Sequence, residues 1–243
     1  LGDLRLIKSA REMACLREAA HYAEAGLSAA RRALKPGQTE IALAGEIEAA
    51  MRTAGSDYWA IPTELASGPR TACGHGTPRE RVIERGDLVH VEFAGVRRRY
   101  HAVAVHTLAL GEPGARVREL YELTRQSLRS GLAAVEPGVA VAEVEEASLE
   151  PLRKRGLEGQ AMMRFGYGIG IAYPPVWLET LQISRGVDRT LEPGMVFVLH
   201  ACVESPEEGL GAIQGGTYAL TSFGLETLVG GGDVPLEVVV PER

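Results

Sequence analysis

The chain of 243 residues is 45% apolar, with a formal net charge of −6 and a pI near 5.6. A chain of this size buries roughly 70–75% of its unfolded surface, so one large domain or two small ones is expected. A basic run such as Arg97-Arg98-Arg99 is too short to support nucleic-acid binding, and no apolar stretch reaches the roughly 18 residues of a membrane span. Cys15, Cys73 and Cys202 are odd in number and lack metal-ligand spacing, which suits reduced thiols in the cytoplasm.

The chain opens at Leu1 without Met and runs almost directly into a helix, as a truncated or processed chain would. Ser9-Ala10-Arg11-Glu12 is a capping box, and Met13, Leu16, Ala20, Ala23 and Leu27 form a helical apolar stripe that Pro36-Gly37 stops. Thr39 caps a second helix through Leu43, Ile47 and Met51, ending at Gly55. Beyond Pro62 the pattern is strand and loop, including Cys73-Gly74-His75-Gly76-Thr77-Pro78. Gly86-Asp87 then turns into the apolar run Leu88 to Phe93, and a second β-run spans Arg99 to Leu110, so Arg97 to Arg99 read as a solvated hairpin turn. Two helices follow, Arg116 to Val135 and Val141 to Arg155, with Pro151 as a kink and Gly156 as the stop. Arg164 to Tyr173 reads as a strand and Trp177 as part of a loop. Pro193-Gly194 then introduces the apolar run from Met195 to Val203, followed by Gly211 to Thr221.

The order helix, Pro-Gly, helix, Gly, strand, loop, hairpin thus occurs twice. It predicts an α+β fold from an internal duplication, with two halves whose hairpins join into one curved sheet under outer helices. Each hairpin carries one ionisable intruder in an apolar strand, Glu92 in the first and His200 in the second, and both are expected to meet at a shared centre. A buried carboxylate needs a partner whatever its role. His75, between glycines, is either catalytic or bonded to backbone. Tyr100 and His101 point to opposite faces by alternation, so one of them is structural. Tyr173 and Trp177 either pack or line a site, a cross-strand hydrogen bond explains His90, and His106 reads as a surface residue.

Lys8-Ser9-Ala10-Arg11-Glu12, Pro36-Gly37-Gln38-Thr39-Glu40, Gly86-Asp87-Leu88-Val89, Leu191-Glu192-Pro193-Gly194-Met195 and Leu220-Thr221-Ser222-Phe223-Gly224-Leu225-Glu226 together resemble the catalytic domain of the pita-bread superfamily, which includes methionine aminopeptidase, aminopeptidase P, prolidase and creatinase. The resemblance covers nearly the whole chain and implies the pita-bread fold, with residues 1–243 as a single catalytic domain; creatinase and prolidase carry an N-terminal domain before it. The metallopeptidases of the superfamily hold two metal ions with two Asp, one His and two Glu. Those positions fall on Glu92, Val103, Tyr167, His200 and Gly215, beside Gln214, so that three have lost ligand chemistry and neither a metal nor another cofactor is expected.

Val91-Glu92-Phe93-Ala94-Gly95 with Arg99-Tyr100-His101, and Gly166-Tyr167-Gly168-Ile169-Gly170 with Tyr173-Pro174-Pro175-Val176-Trp177, look like metal-independent members of the creatinase and ectoine hydrolase type. An Arg-Thr pair expected at the end of the first hairpin is His106-Thr107 here. The resemblance implies hydrolysis of a C–N bond in a small polar amidine- or amide-like substrate. His75 would be the general base and acid, with Glu92 and His200 as its catalytic partners. Tyr100, His101, Tyr167, Tyr173, Trp177 and Gln214 would bind substrate, and the chain would work as a homodimer. Two alternatives stand beside this: a proline-specific peptidase with an altered metal site, acting on short peptides, and an inactive homologue that serves as a binding protein.

Overall fold

In the computed structural model, residues 2–161 and 164–240 are described; Leu1, with which the chain opens, lies outside them. A first turn of helix, α1 (Gly2–Leu6), precedes α2 (Ala10–Ala33) and α3 (Glu40–Ala54). The box at Ser9 forms in both directions: its hydroxyl accepts from the Glu12 N–H, and the Glu12 carboxylate accepts from the Ser9 N–H at 2.8 Å. Thr39 caps α3 through the Ala42 N–H, and Gly55 ends it in the left-handed region.

The strands are β1 (Glu64–Ser67), β2 (Leu88–Arg97) and β3 (Tyr100–Leu110) in the first half. After α4 (Ala115–Ala133) and α5 (Val141–Arg153) come β4 (Gly166–Tyr173), β5 (Val176–Ile183), β6 (Val196–Ser205), β7 (Leu210–Thr221), β8 (Gly224–Gly230) and β9 (Glu237–Val239). Helices and a mostly antiparallel sheet make the α+β architecture expected, and α5 absorbs Pro151. Trp177, expected in a loop, belongs to β5, which pairs with β4 directly across Pro174-Pro175. Among the described residues no helix is long and apolar enough to cross a membrane.

Two apolar layers hold the helices to the sheet. Leu27, Leu43, Ile47 and Met51 of α2 and α3 pack on Val89, Val91 and Phe93 of β2. Leu128, Val141 and Val144 of α4 and α5 pack on Phe197, Leu199 and Tyr218 of β6 and β7. Gly95 sets how near α2 can come, because a Cβ there would lie 2.0 Å from the Ala19 carbonyl oxygen.

The halves meet where Tyr100 of β3 pairs with Ile171 of β4 and where β3 touches β7. One backbone bridge, Val105 to Gly215, is flanked by two hydroxyls. Thr217 Oγ1 accepts from the Val103 N–H and donates to the Val103 carbonyl, at 2.8 and 2.9 Å. Thr107 Oγ1 does the same with Ile213, at 3.0 and 2.7 Å. Side chains therefore replace the main-chain ladder on both sides of the bridge.

The solvated reading of the Arg97 to Arg99 turn is corrected at Arg99. Arg98 and Arg99 both have positive φ, as a two-residue hairpin turn requires, but the Arg99 side chain turns inward. It is buried, its guanidinium stacks 3.8 Å from the centre of the Tyr58 ring, and it donates to the Ala172 and Tyr58 carbonyls. His106 is corrected in the same way: it is buried, with Nε2 3.4 Å from Glu237 of β9, the strand laid against β3.

Candidate active site

The register of the sheet puts five residues on one row across five strands: Glu64 opposite Glu92, Glu92 opposite Val105, Val105 opposite Gly215, and Gly215 opposite His200. Directly paired positions share a face, so Glu64, Glu92 and His200 point to the same side, with a Val and a Gly between them. His75 reaches over this row from its loop, its Nε2 3.5 Å from Glu92 and 3.9 Å from Glu64. The His75 and His200 rings lie 6.4 Å apart, edge to face. Together these four side chains open into a cavity of about 190 Å³, whose walls also include Ile61, Leu178, Trp177 and Tyr167.

Glu92 is held from one side by a relay: the Trp177 indole N–H donates to the Tyr167 hydroxyl at 3.0 Å, and that hydroxyl donates to Glu92 Oε1 at 3.2 Å. The second oxygen of Glu92, one oxygen of Glu64, Nδ1 of His75 and both ring nitrogens of His200 have no hydrogen-bond partner among the described residues. Unpaired polar atoms at this depth are costly, and several facing one cavity mark a place where a ligand's polar groups would be received.

Burial sets the protonation states. Desolvation, reinforced by the Glu64 charge, pushes the Glu92 carboxyl up to about 8, and desolvation pushes Glu64 up to about 7. Desolvation lowers His75, and it takes His200 down to about 3 with help from the charges of His75 and Arg164. His200 is therefore a neutral imidazole near pH 7, while the carboxyls share protons there.

One consequence is measurable. The folded protein keeps the Glu92 proton from pH 4.5 to about 8, where the unfolded chain has released it, so Glu92 loses stability for the fold as pH rises through that window. Glu92→Gln removes the titration. Its melting temperature should exceed that of the wild type at pH 8 and converge with it below pH 4.5, the gap being at most several kcal/mol. A gap that does not change with pH would contradict the assigned burial.

The other expected residues lie elsewhere. Both His101 nitrogens are occupied, Nε2 accepting from the Ala60 N–H and Nδ1 donating to the Arg99 carbonyl, and the ring lies 6.3 Å from that of Trp177. His101 thus braces the cavity wall from outside it. Tyr100 donates to Glu12 of α2. Tyr173 is exposed and lies beside Arg99. Gln214, opposite Ala201 and one residue out of phase with Gly215, turns to the other face and donates to the Gly232 and Val234 carbonyls. The structure does not bring these four to the cavity. His90 makes no cross-strand hydrogen bond: neither ring nitrogen has a partner among the described residues, and desolvation takes it down to about 3. Two ionisable wall residues, Glu64 and Arg164, carry no signal of a site in the sequence. Glu64 begins a four-residue strand that looks like loop, and Arg164 has only its place just ahead of Gly166-Tyr167-Gly168 to mark it.

The fold is that of a pita-bread core. The chain belongs to metallopeptidase family M24, whose family model matches residues 14–225. It is 32% identical over 206 residues to the uncharacterized peptidase YqhT of Bacillus subtilis, covering 85% of this chain and 57% of that one. With the Xaa-Pro dipeptidase of Pyrococcus furiosus it shares 28% identity over 228 residues, 94% of this chain and 64% of the other. The Xaa-Pro dipeptidase from Bacillus anthracis superposes with a TM-score of 0.91 at 28% identity, over 99% of this chain and 65% of that structure. The chain spans less than two thirds of the length of each of these proteins.

The family name implies metal, and the residues present do not fit the pair of ions. Val103 is buried among apolar side chains, and the Tyr167 hydroxyl is spent on Glu92 and Trp177. At Gly215 even a Cβ would fall 2.2 Å from the Leu199 carbonyl oxygen and 2.6 Å from the His200 Cα, so no carboxylate can stand there. What the site does offer is Glu64, His75 and Glu92, with one ligand atom each, all within 4.8 Å of one another. Of these only Glu92 lies at a position that the resemblance assigns to a metal ligand.

Proposed function

We propose that this chain is an M24-type hydrolase that cleaves a C–N bond in a small substrate without the paired metal ions of its family. The observation that carries the reading is the register row. The centre is still furnished with Glu64, His75, Glu92 and His200, while the positions that would complete a two-metal site hold Val103, Tyr167 and a glycine with no room for a side chain. The cavity lies below the usual range of about 300–1,000 Å³ for drug-sized ligands, so a small substrate suits it.

In the reaction, water adds to the carbonyl or amidine carbon as His75 takes its proton. The proton then passes to the leaving nitrogen as the C–N bond breaks, so that one water is consumed and one acid and one amine are formed from an amide. A histidine within 3.5 Å of one carboxylate and 3.9 Å of another has groups beside it to orient water and to exchange protons. His200, neutral and buried, can donate one N–H to the oxyanion or its nitrogen counterpart. Trp177 and Tyr167 fix Glu92 in place.

Of the two substrate classes in view, an Xaa-Pro dipeptide has the support of the relatives' names, whereas a small amidine- or amide-like compound of the creatinase and ectoine hydrolase type rests on the residue pattern alone. A second reading has its own observation: Glu64, His75 and Glu92 are close enough to hold a single ion, which would make this a proline-specific peptidase with an altered metal site. Metal content and turnover separate these. The purified protein is assayed on a panel of Xaa-Pro dipeptides and cyclic amidines before and after chelation, and its bound metals are counted. Turnover of a panel member that survives chelation is the expected result. Two ions per chain, or activity abolished by chelation, overturns the metal-free mechanism; one ion lost in Glu64→Gln supports the second reading. A panel with no turnover at all points to the inactive binding protein.

A further inference from the structure

Arg164 stands half buried on the cavity wall, in the residues leading into β4. Along the register row Glu64 and His200 are the two ends, and Arg164 lies on the His200 side, where it also lines a narrow crevice behind His200. The carboxylate that shares this crevice, Glu145, is committed elsewhere. It accepts from the Phe165 and Arg185 backbone N–H groups at 3.2 and 2.6 Å and lies 3.4 Å from the Arg185 guanidinium. Among the described residues, no ion pair holds the Arg164 guanidinium, although many of the other arginines are paired. The cavity thus has a polarity: two carboxyls with unpartnered oxygens at the Glu64 and Glu92 end, and a guanidinium with no acidic partner at the other, with Ile61, Leu178 and Trp177 as apolar wall between.

We propose that the cavity selects a small zwitterion, its nitrogen end received between Glu64 and Glu92 and its carboxylate on Arg164, and that Arg164 is the specificity-determining residue. Calling this zwitterion the substrate rests on the hydrolase reading; its binding does not. A guanidinium forms two parallel hydrogen bonds with a carboxylate, which fixes the orientation of the ligand as well as its affinity. A ligand that lacks the carboxylate leaves the guanidinium partly desolvated and unpaired, so discrimination against it is strong, as in other sites built to bond one polar group.

The test measures binding without turnover, by calorimetric titration of glycine, β-alanine, 4-aminobutanoate and L-proline, each against its own carboxamide. At least one of these acids should bind the wild type ten times more tightly than its carboxamide. Arg164→Gln should remove that preference while leaving the carboxamide affinity in place, Arg164→Lys should keep it in weakened form, and Glu64→Gln should weaken acid and carboxamide together. The inference is overturned if none of the acids binds, if acid and carboxamide bind alike, or if Arg164→Gln leaves the preference unchanged. Failure of the hydrolase reading looks different: the acids bind with the expected preference, and no C–N bond on the substrate panel is cleaved.

Discussion

Gly215→Glu, which restores a carboxylate at the last family ligand position, should lower the melting temperature by roughly 6–12 °C and confer no tighter binding of Mn²⁺ or Zn²⁺. The glycine sits where β7 crosses to β3 and faces His200, and any Cβ there meets the Leu199 carbonyl oxygen at 2.2 Å. Neither that oxygen nor the His200 backbone can swing away as a flexible side chain would, so the strands themselves must part. Overpacking that moves backbone costs typically 1–3 kcal/mol, and a buried carboxylate without a partner adds to it. In a chain of this length each kcal/mol is worth about 2–4 °C. The measurement is thermal unfolding of the variant with and without metal. A melting temperature like that of the wild type, together with two ions bound, would show that the lost ligand set is one substitution from recovery.

His75→Gln should lower kcat/KM on the substrate identified from the panel by about 10²–10⁴, the usual contribution of a positioned acid or base, with the fold intact by circular dichroism. The ring stands on a loop and is partly exposed, so an amide of similar size keeps the packing while losing proton transfer. Loss confined to KM would make His75 a binding group, and loss of less than tenfold would remove it from the chemistry.

Much of this fold could be read from local chemistry. The Ser9 and Thr39 caps, the glycine stops at Gly55 and Gly156 and the two hairpins are short-range signals, and each is realised within a residue or two. The position of Trp177 was not legible, because Pro174-Pro175 looks like the start of a loop when it is the turn between two paired strands. Glu64 was hidden for another reason: its meaning comes from pairing with Glu92, far along the chain, and nothing in Glu64-Leu65-Ala66-Ser67 announces that partner. Tyr100 and Gln214 each lie next to a residue that faces inward, and one step along a strand is enough to send a side chain to the other face. His106 reads as a surface residue because the strand that covers it, β9, is only three residues long and lies far along the chain.

The seam between the two halves bears on how a duplicated protein can change. A continuous ladder between β3 and β7 would have tied every position of one copy to a position of the other. Here β3 and β7 share one backbone bridge and two threonine hydroxyls, each clasping both the N–H and the carbonyl of a single residue opposite, and a second short contact pairs Tyr100 of β3 with Ile171 of β4. Thr107 and Thr217 thus help fix how the halves are placed against each other where β3 and β7 meet, in place of a main-chain ladder. Val103 and Gly215 both lie on this join, and each is held across it through backbone, Val103 by the Thr217 hydroxyl and Gly215 by the bridge to Val105, so the join places no demand on the chemistry of either side-chain position.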